Sequence, residues 1–283
     1  MYPFIHIGPL TLGSYGLMVA IGLICGFFIL RADFARRGVS ADAEAIIGIT
    51  GLSGLAGSRL YHLLETPKEF FADPWPQLFS TMGFAFVGAI IGGFLALVIL
   101  AKRFRMSVLL LLDAASPAAA MGYGIGRIGC MLSGDGDYGV ATNLPWGMAF
   151  EPLQPGSRIF GFIQIDHGAL DPSYGRDVQG LPLDAIARVH PTPIYEFLAA
   201  ILIAWILWRL GARFLKTHAA NGIIFAAYLV LTGIARFLVE IIRINPRSFY
   251  GLTNAQAASV VSVLAGVALF VYARKATRQE IRA

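Results

Sequence analysis

Seven stretches of the chain stay apolar over the roughly 17–25 residues that a helix needs to cross a hydrocarbon core. They cover residues 14–30, 43–64, 84–101, 108–125, 193–210, 222–242 and 255–273. The pattern predicts an all-α integral membrane fold, a seven-helix transmembrane bundle. The connection over residues 130–190 contains Pro, Gly and charges of both signs but no apolar run of membrane length. It reads as a small extracytoplasmic cap of turns and short strands, with residues 150–155 and the alternating 159–165 as its best-ordered parts. The chain then divides into residues 1–129 with helices one to four, the cap at 130–190, and 191–283 with helices five to seven and a tail, all one integrated membrane domain. Residues 65–82, with Pro67, Pro74, Pro76, Phe70, Phe71 and Trp75, read as an interfacial segment. The motif GPLTLGSYGLM is expected to open the first helix, with Tyr15 at the outer interface.

Charge orients this bundle. Thirteen Lys and Arg lie on alternate connections, around Arg31–Arg37, Lys102–Arg105, Arg209–Lys216 and Arg274–Arg282, whereas the opposite, longer connections hold six. The positive-inside rule therefore places the N-terminus outside and the C-terminus in the cytoplasm. Only 14% of residues are charged and 57% are hydrophobic, against about 25% charged in soluble domains. The net charge of +5 comes from clusters flanking apolar runs, which encodes topology and not nucleic-acid binding. Residues 1–13 carry no Lys or Arg, so the first helix is expected to remain as a span instead of being removed as a signal peptide. Cys25 and Cys130 are too few and too far apart for a disulfide framework or a zinc site.

The remaining three cations, Arg59, Arg127 and Arg236, fall within spans. A charge at the bilayer centre costs roughly 2.5–3.5 kcal/mol on insertion scales, so such residues face the protein interior or mark a function. Arg127 lies in GYGIGRIGCMLSGDGDYG, among Gly122, Gly124, Gly126 and Gly129, with Asp135 and Asp137 beyond. The spacing GxGxxG is not a dinucleotide fingerprint here, because its flank is a membrane-length apolar run and not a short strand. Close helix packing explains the glycines but leaves the arginine, whose planar fork suits phosphate. In GIARFLVEIIR, Arg236, Glu240 and Arg243 share a helix face. One reading is an Arg236–Glu240 bridge that locks helices while Arg243 snorkels outward; the other is a site for an anionic headgroup. HPTPIYE starts the fifth span, with His190 suited to cap it or to act chemically and with Tyr195 and Glu196 directed into the bundle. Gln256 near the start of the last span suits capping or helix-to-helix bonding.

In order, GPLTLGSYGLM, GSRLYHLL, GFAFVGAIIGG, GYGIGRIGCMLSGDGDYG, HPTPIYE, RFLVEIIR and the Gln256 region resemble the bacterial prolipoprotein diacylglyceryl transferase family over almost the whole chain. The resemblance implies a multi-pass enzyme of the bacterial inner membrane with its N-terminus periplasmic. It would move the diacylglyceryl group of phosphatidylglycerol to the lipobox cysteine of preprolipoproteins and release glycerol 1-phosphate. Its partners would be phosphatidylglycerol, lipobox-containing preprolipoproteins and membrane lipid, without metal, soluble cofactor or nucleic acid. The resemblance implies Arg127 and Arg236 as catalytic residues, and the residues themselves offer His190, Asp137 or Glu196 as the group that deprotonates the thiol, unless it enters as thiolate from water. Tyr15, Arg127, Asp135 or Asp137, Gly139, Glu196, Glu240 and Gln256 are the implied substrate-binding set, to which Arg59 is added for its place inside a span. The chain departs from the family at Val87, where a histidine is expected, at Thr232 in place of a tyrosine, at Cys130 in place of an asparagine, and by one extra residue in GDGDYG, which leaves Asp135 and Asp137 as alternatives. Two other readings are a catalytically altered relative that binds anionic lipid or lipoprotein precursor, and an anionic-lipid transporter; the placing of the motifs in the outer half favours the enzyme.

Overall fold

The computed structural model describes residues 2–79, 85–134, 138–149, 158–159, 162–166, 188–216 and 220–282. The chain starts with a hairpin of β1 (Phe4–Ile7) and β2 (Leu10–Gly13). Helices α1 (Ser14–Arg37) and α2 (Ala43–Glu65) follow, then the short α3 (Pro67–Ala72) and α4 (Pro74–Phe79), then α5 (Phe86–Arg103) and α6 (Val108–Ser133). After β3 (Arg158–Ile159) and β4 (Ile163–Ile165) come α7 (Thr192–Lys216), α8 (Ile223–Glu240) and α9 (Asn254–Arg282).

Six helices, α1, α5, α6, α7, α8 and α9, are long and apolar enough to cross a membrane. The second expected span, α2, has the length at 23 residues, but its glycines, serines and Arg59 make it less apolar than those six. It packs on α5 through small residues: a side chain on Gly57 or Gly88 would collide with the facing backbone. Helix α6 is central, with 56% of its apolar window buried against 17–28% for the other five, and it lies against α1, α7 and α8.

The long elements are all helical, as expected, and short strands accompany them. A four-stranded antiparallel sheet in the order β2-β1-β4-β3 joins the N-terminal residues to the insert, with Phe4 opposite Gly13 and Ile5 opposite Ile165. Tying the two together, His6 Nε2 lies 2.7 Å from Asp166 Oδ2. The β1–β2 hairpin was not expected at all, whereas within the alternating 159–165 segment Ile159 falls in β3 and residues 163–165 form β4; residues 150–155 lie outside the described set. The boundary at residue 130 also moves, because α6 continues through Cys130 to Ser133 and ends on Gly134 at a left-handed φ of 77°. Its glycines are interior helix positions. A Cβ on Gly124 would meet Ala200 at 2.8 Å, and one on Gly129 would meet Met18 and Tyr15 at 3.1 and 3.2 Å, so α6 sits closer to α7 and α1 than a larger residue permits.

The two ends of the bundle each hold a buried ionic group. At one end Asp33 pairs with Arg36 and Arg37 on α1, Arg36 stacks 3.9 Å over Trp208 of α7, and Asp113 accepts the backbone N–H of Gly222 and Phe225 at the start of α8. The other end, next to the sheet, carries the candidate site residues.

Candidate active site

Glu196 is the hub of that second group. It lies on the second turn of α7, is 4% exposed, and accepts from two helices and the segment after α8. From α6, Arg127 Nε approaches Oε2 at 2.5 Å and Tyr123 donates its phenol to Oε1 at 2.8 Å. These two residues are four apart and so share one helix face. From α8, Arg236 bonds Oε1 and also reaches Glu240 Oε2 at 3.1 Å. Arg243 lies 3.6 Å from both Glu196 Oε2 and Glu240 Oε2. Glu240 is 1% exposed and accepts Asn245 Nδ2 at 2.5 Å. Among the described residues, three guanidiniums thus face two carboxylates.

The backbone around this group is braided. Residues 139–140 lie between 189–190 and 242–243: Gly139 donates to the His190 carbonyl at 2.9 Å, His190 to Val140 at 3.1 Å, and Val140 to Ile242 at 2.8 Å. Gly139 also forms a bridge with Arg243. A Cβ at Gly139 would stand 2.7 Å from the Ile242 carbonyl and 2.8 Å from His190 Cβ, which is why glycine occupies this position. Gly139→Ala is expected to push the three segments apart, displace Arg243 and reduce activity by tenfold or more while the helical content persists. A transfer assay beside far-UV circular dichroism checks this, and unchanged activity would dismiss the role of the braid.

The structure therefore brings Arg127, Arg236, Glu196, Glu240 and Gly139 together. His190 adjoins them through its backbone, but its side chain does not cap α7; Nδ1 lies 3.2 Å from Tyr195 Oη, which also accepts Trp146 Nε1 at 2.9 Å. Tyr15 is half exposed at the start of α1 against Gly129. Arg59 is buried on α2. Gln256 forms a reciprocal capping box with Thr253, accepting its N–H and donating its own to the threonine hydroxyl, both at 3.1 Å. Asp135 and Asp137 lie outside the described residues. Val87 is 49% exposed on the first turn of α5, and the hydroxyl of Thr232 turns back to its own helix at Tyr228 O, 2.6 Å away. Arg127 Nη1 contacts Cys130 Sγ at 3.4 Å.

Three participants lie outside the site set expected from the sequence: Arg243, whose inward and outward readings were both open, Tyr123 and Asn245. Arg243 does not snorkel, being 8% exposed. Its place on the face of Arg236 and Glu240 was the available signal. Tyr123 gave one too, four residues before Arg127, but a tyrosine in an apolar helix reads as packing.

The family model for prolipoprotein diacylglyceryl transferase matches residues 3–272. The chain belongs to this family. A phosphatidylglycerol–prolipoprotein diacylglyceryl transferase of Clostridium tetani is 28% identical over 270 residues, covering 92% of this chain and 93% of the relative. That of Chromohalobacter salexigens is 29% identical over 280 residues, covering 96% and 91%. A third, from Leptospira interrogans, is 29% identical over 283 residues, covering 88% and 78%.

Proposed function

We propose that the protein transfers the diacylglyceryl group of phosphatidylglycerol to the lipobox cysteine of a preprolipoprotein, releasing glycerol 1-phosphate. The observation that carries this reading is the group around Glu196, in which three guanidiniums suited to a phosphodiester anion are held at one place by two buried carboxylates. The cysteine sulfur attacks the glyceryl carbon that bears the phosphate ester. A C–S bond forms, the C–O bond to phosphate breaks, and the departing phosphate takes the electron pair. Charge therefore grows on phosphate oxygen as the reaction proceeds, and fixed guanidiniums that meet it lower the barrier. Arg127 and Arg236 are the phosphate donors; Glu196 and Glu240 hold their forks in place. His190, oriented by Tyr195, receives the thiol proton. Tyr15, Arg59 and Gly139 belong to the lipid pocket, with Asp135 or Asp137 supplying an acidic contact, and Gln256 supports it by holding the start of α9.

The membrane frame follows the same reading. Helix α2, packed between α1 and α5, is the seventh span, the sheet and insert form the extracytoplasmic cap, and the cation-rich helix ends face the cytoplasm of a bacterial inner membrane. Outward-facing Val87 has no part in proton transfer. Val87→His is accordingly expected to change the release of labelled glycerol phosphate from phosphatidylglycerol, in the presence of a thiol peptide, by less than about twofold. An increase of tenfold or more would restore a histidine requirement at that position. Thiol-dependent release by the unaltered protein tests the function itself, and no release from phosphatidylglycerol would oppose it.

A further inference from the structure

We infer that the outer edge of β2 is the docking strand for the protein substrate, which pairs there in extended form and so brings its cysteine to Arg127. The inference rests on the transferase reading for the identity of the occupant. The register of the hairpin decides which groups are available. Ser14 N–H donates to the Pro3 carbonyl at 2.9 Å, so 3/14, 5/12 and 7/10 are the hydrogen-bonded pairs of β1 and β2, and 4/13 and 6/11 are not. The other edge of β1 belongs to β4, as Gly8 N–H to Phe162 O and Asp166 N–H to Phe4 O confirm. The N–H and carbonyl of Thr11 and the N–H of Gly13 consequently point away from the sheet. The Gly13 carbonyl, at the N-cap of α1, is committed to the helix.

β2 is the terminal strand of its sheet, and Leu10, Thr11 and Gly13 are exposed. Among the described residues no strand pairs with this edge. Sheet edges that carry free main-chain groups accept extended peptides, with hydrogen bonds giving affinity and side chains giving register. This edge is bounded by Pro9, which donates nothing, and by α1, so it takes only a short segment. It is held stiff from the opposite face, where His6 Nδ1 lies 3.0 Å from Thr11 Oγ1 and Nε2 contacts Asp166. Its direction fixes the chemistry. Two residues beyond Gly13, Tyr15 packs against Gly129 on the α1 side of α6, about half a helical turn past Arg127, which faces α7, so the edge ends beside the turn of α6 that carries the arginine. At about 3.3 Å per extended residue, a peptide paired at Thr11 and Gly13 continues within a few residues to the arginine group. Backbone pairing also suits a substrate class whose sequences differ around one shared cysteine.

The test compares Gly13→Pro with Gly13→Ala. Gly13 has φ −74°, which proline adopts, and a Cβ there meets nothing within 4 Å, so both variants keep the hairpin while proline alone removes the outward N–H. Binding of a lipobox peptide with its cysteine replaced by serine is measured on the full chain in lipid nanodiscs, with hydrogen exchange of residues 10–13 in parallel. The expected result is binding about tenfold weaker in Gly13→Pro, unchanged in Gly13→Ala, and slower exchange of the Thr11 and Gly13 amides when wild type binds peptide. In transfer assays Gly13→Pro should raise KM for peptide and leave KM for phosphatidylglycerol alone. Equal binding by the two variants, or exchange at 10–13 indifferent to peptide, overturns the docking strand whether or not transfer occurs. Peptide binding of the expected pattern without any lipid transfer would uphold the strand and reject the transferase reading.

Discussion

Glu196→Ala abolishes transfer and lowers the thermal midpoint by on the order of 10 °C. The expectation follows from what the side chain holds apart. Arg127, Arg236 and Arg243 converge on one carboxylate that is 4% exposed, and its removal leaves one buried and two partly buried guanidiniums with Glu240 as the one carboxylate described in the group. Breaking a buried ion pair by deleting one partner costs about 3–5 kcal/mol, and each kcal/mol shifts the midpoint of a chain this size by roughly 2–4 °C. Glu196→Gln keeps the volume and one acceptor oxygen for Tyr123 and Arg236, so its midpoint falls less, yet it releases Arg127 and transfer remains lost. Thermal unfolding in detergent, read beside the transfer rate, checks both. A stable and active Glu196→Ala protein would mean that the carboxylate organises nothing.

Arg127→Ala should show the opposite balance, with a large effect on rate and a small one on stability. Glu196 still receives Arg236, Arg243 and Tyr123 after this change, so the cluster keeps its shape. What is lost is a fixed donor at the departing phosphate, worth roughly 10²–10³ in kcat where comparable donors have been deleted. Arg127→Lys should not restore the rate. The native side chain uses Nε on Glu196 and Nη1 on Cys130 at once, and an ammonium offers a point charge in place of that fork. Single-turnover rates with phosphatidylglycerol and a lipobox peptide distinguish the two effects. A Lys variant at the wild-type rate would reduce Arg127 to a simple counter-charge.

Much of this site was legible because charge inside an apolar helix has few innocent explanations. Arg127, Arg236, Glu240 and Glu196 stood out for that reason, and the fold links all four, Glu196 pairing with Arg127 and Arg236 and Arg236 reaching on to Glu240. Arg243 was harder to read, because a helical count carries it past the span and allows it to reach water. In the structure α8 ends at Glu240 and the chain turns extended, so the bridge with Gly139 swings Arg243 inward. That bridge joins residues about a hundred apart, and nothing local in the sequence announces it. Gln256 was read as a polar residue at a helix start, where capping would suffice, and capping is the task the geometry gives it. The β1–β2 hairpin was missed because its four-residue strands run straight into an apolar helix, which absorbs their pattern. Its stability is not local either, since it depends on β4 and the His6–Asp166 contact.

The measurement that bears most directly on the arginine group as a phosphate clamp is mass spectrometry of a lipobox peptide incubated with the protein in phosphatidylglycerol nanodiscs. Wild type should add one diacylglyceryl mass to the cysteine, with no addition to a serine peptide, and Arg127→Ala should leave the peptide unmodified while unfolding within a few degrees of wild type. Full modification by Arg127→Ala, or none by a folded wild-type protein, would contradict it.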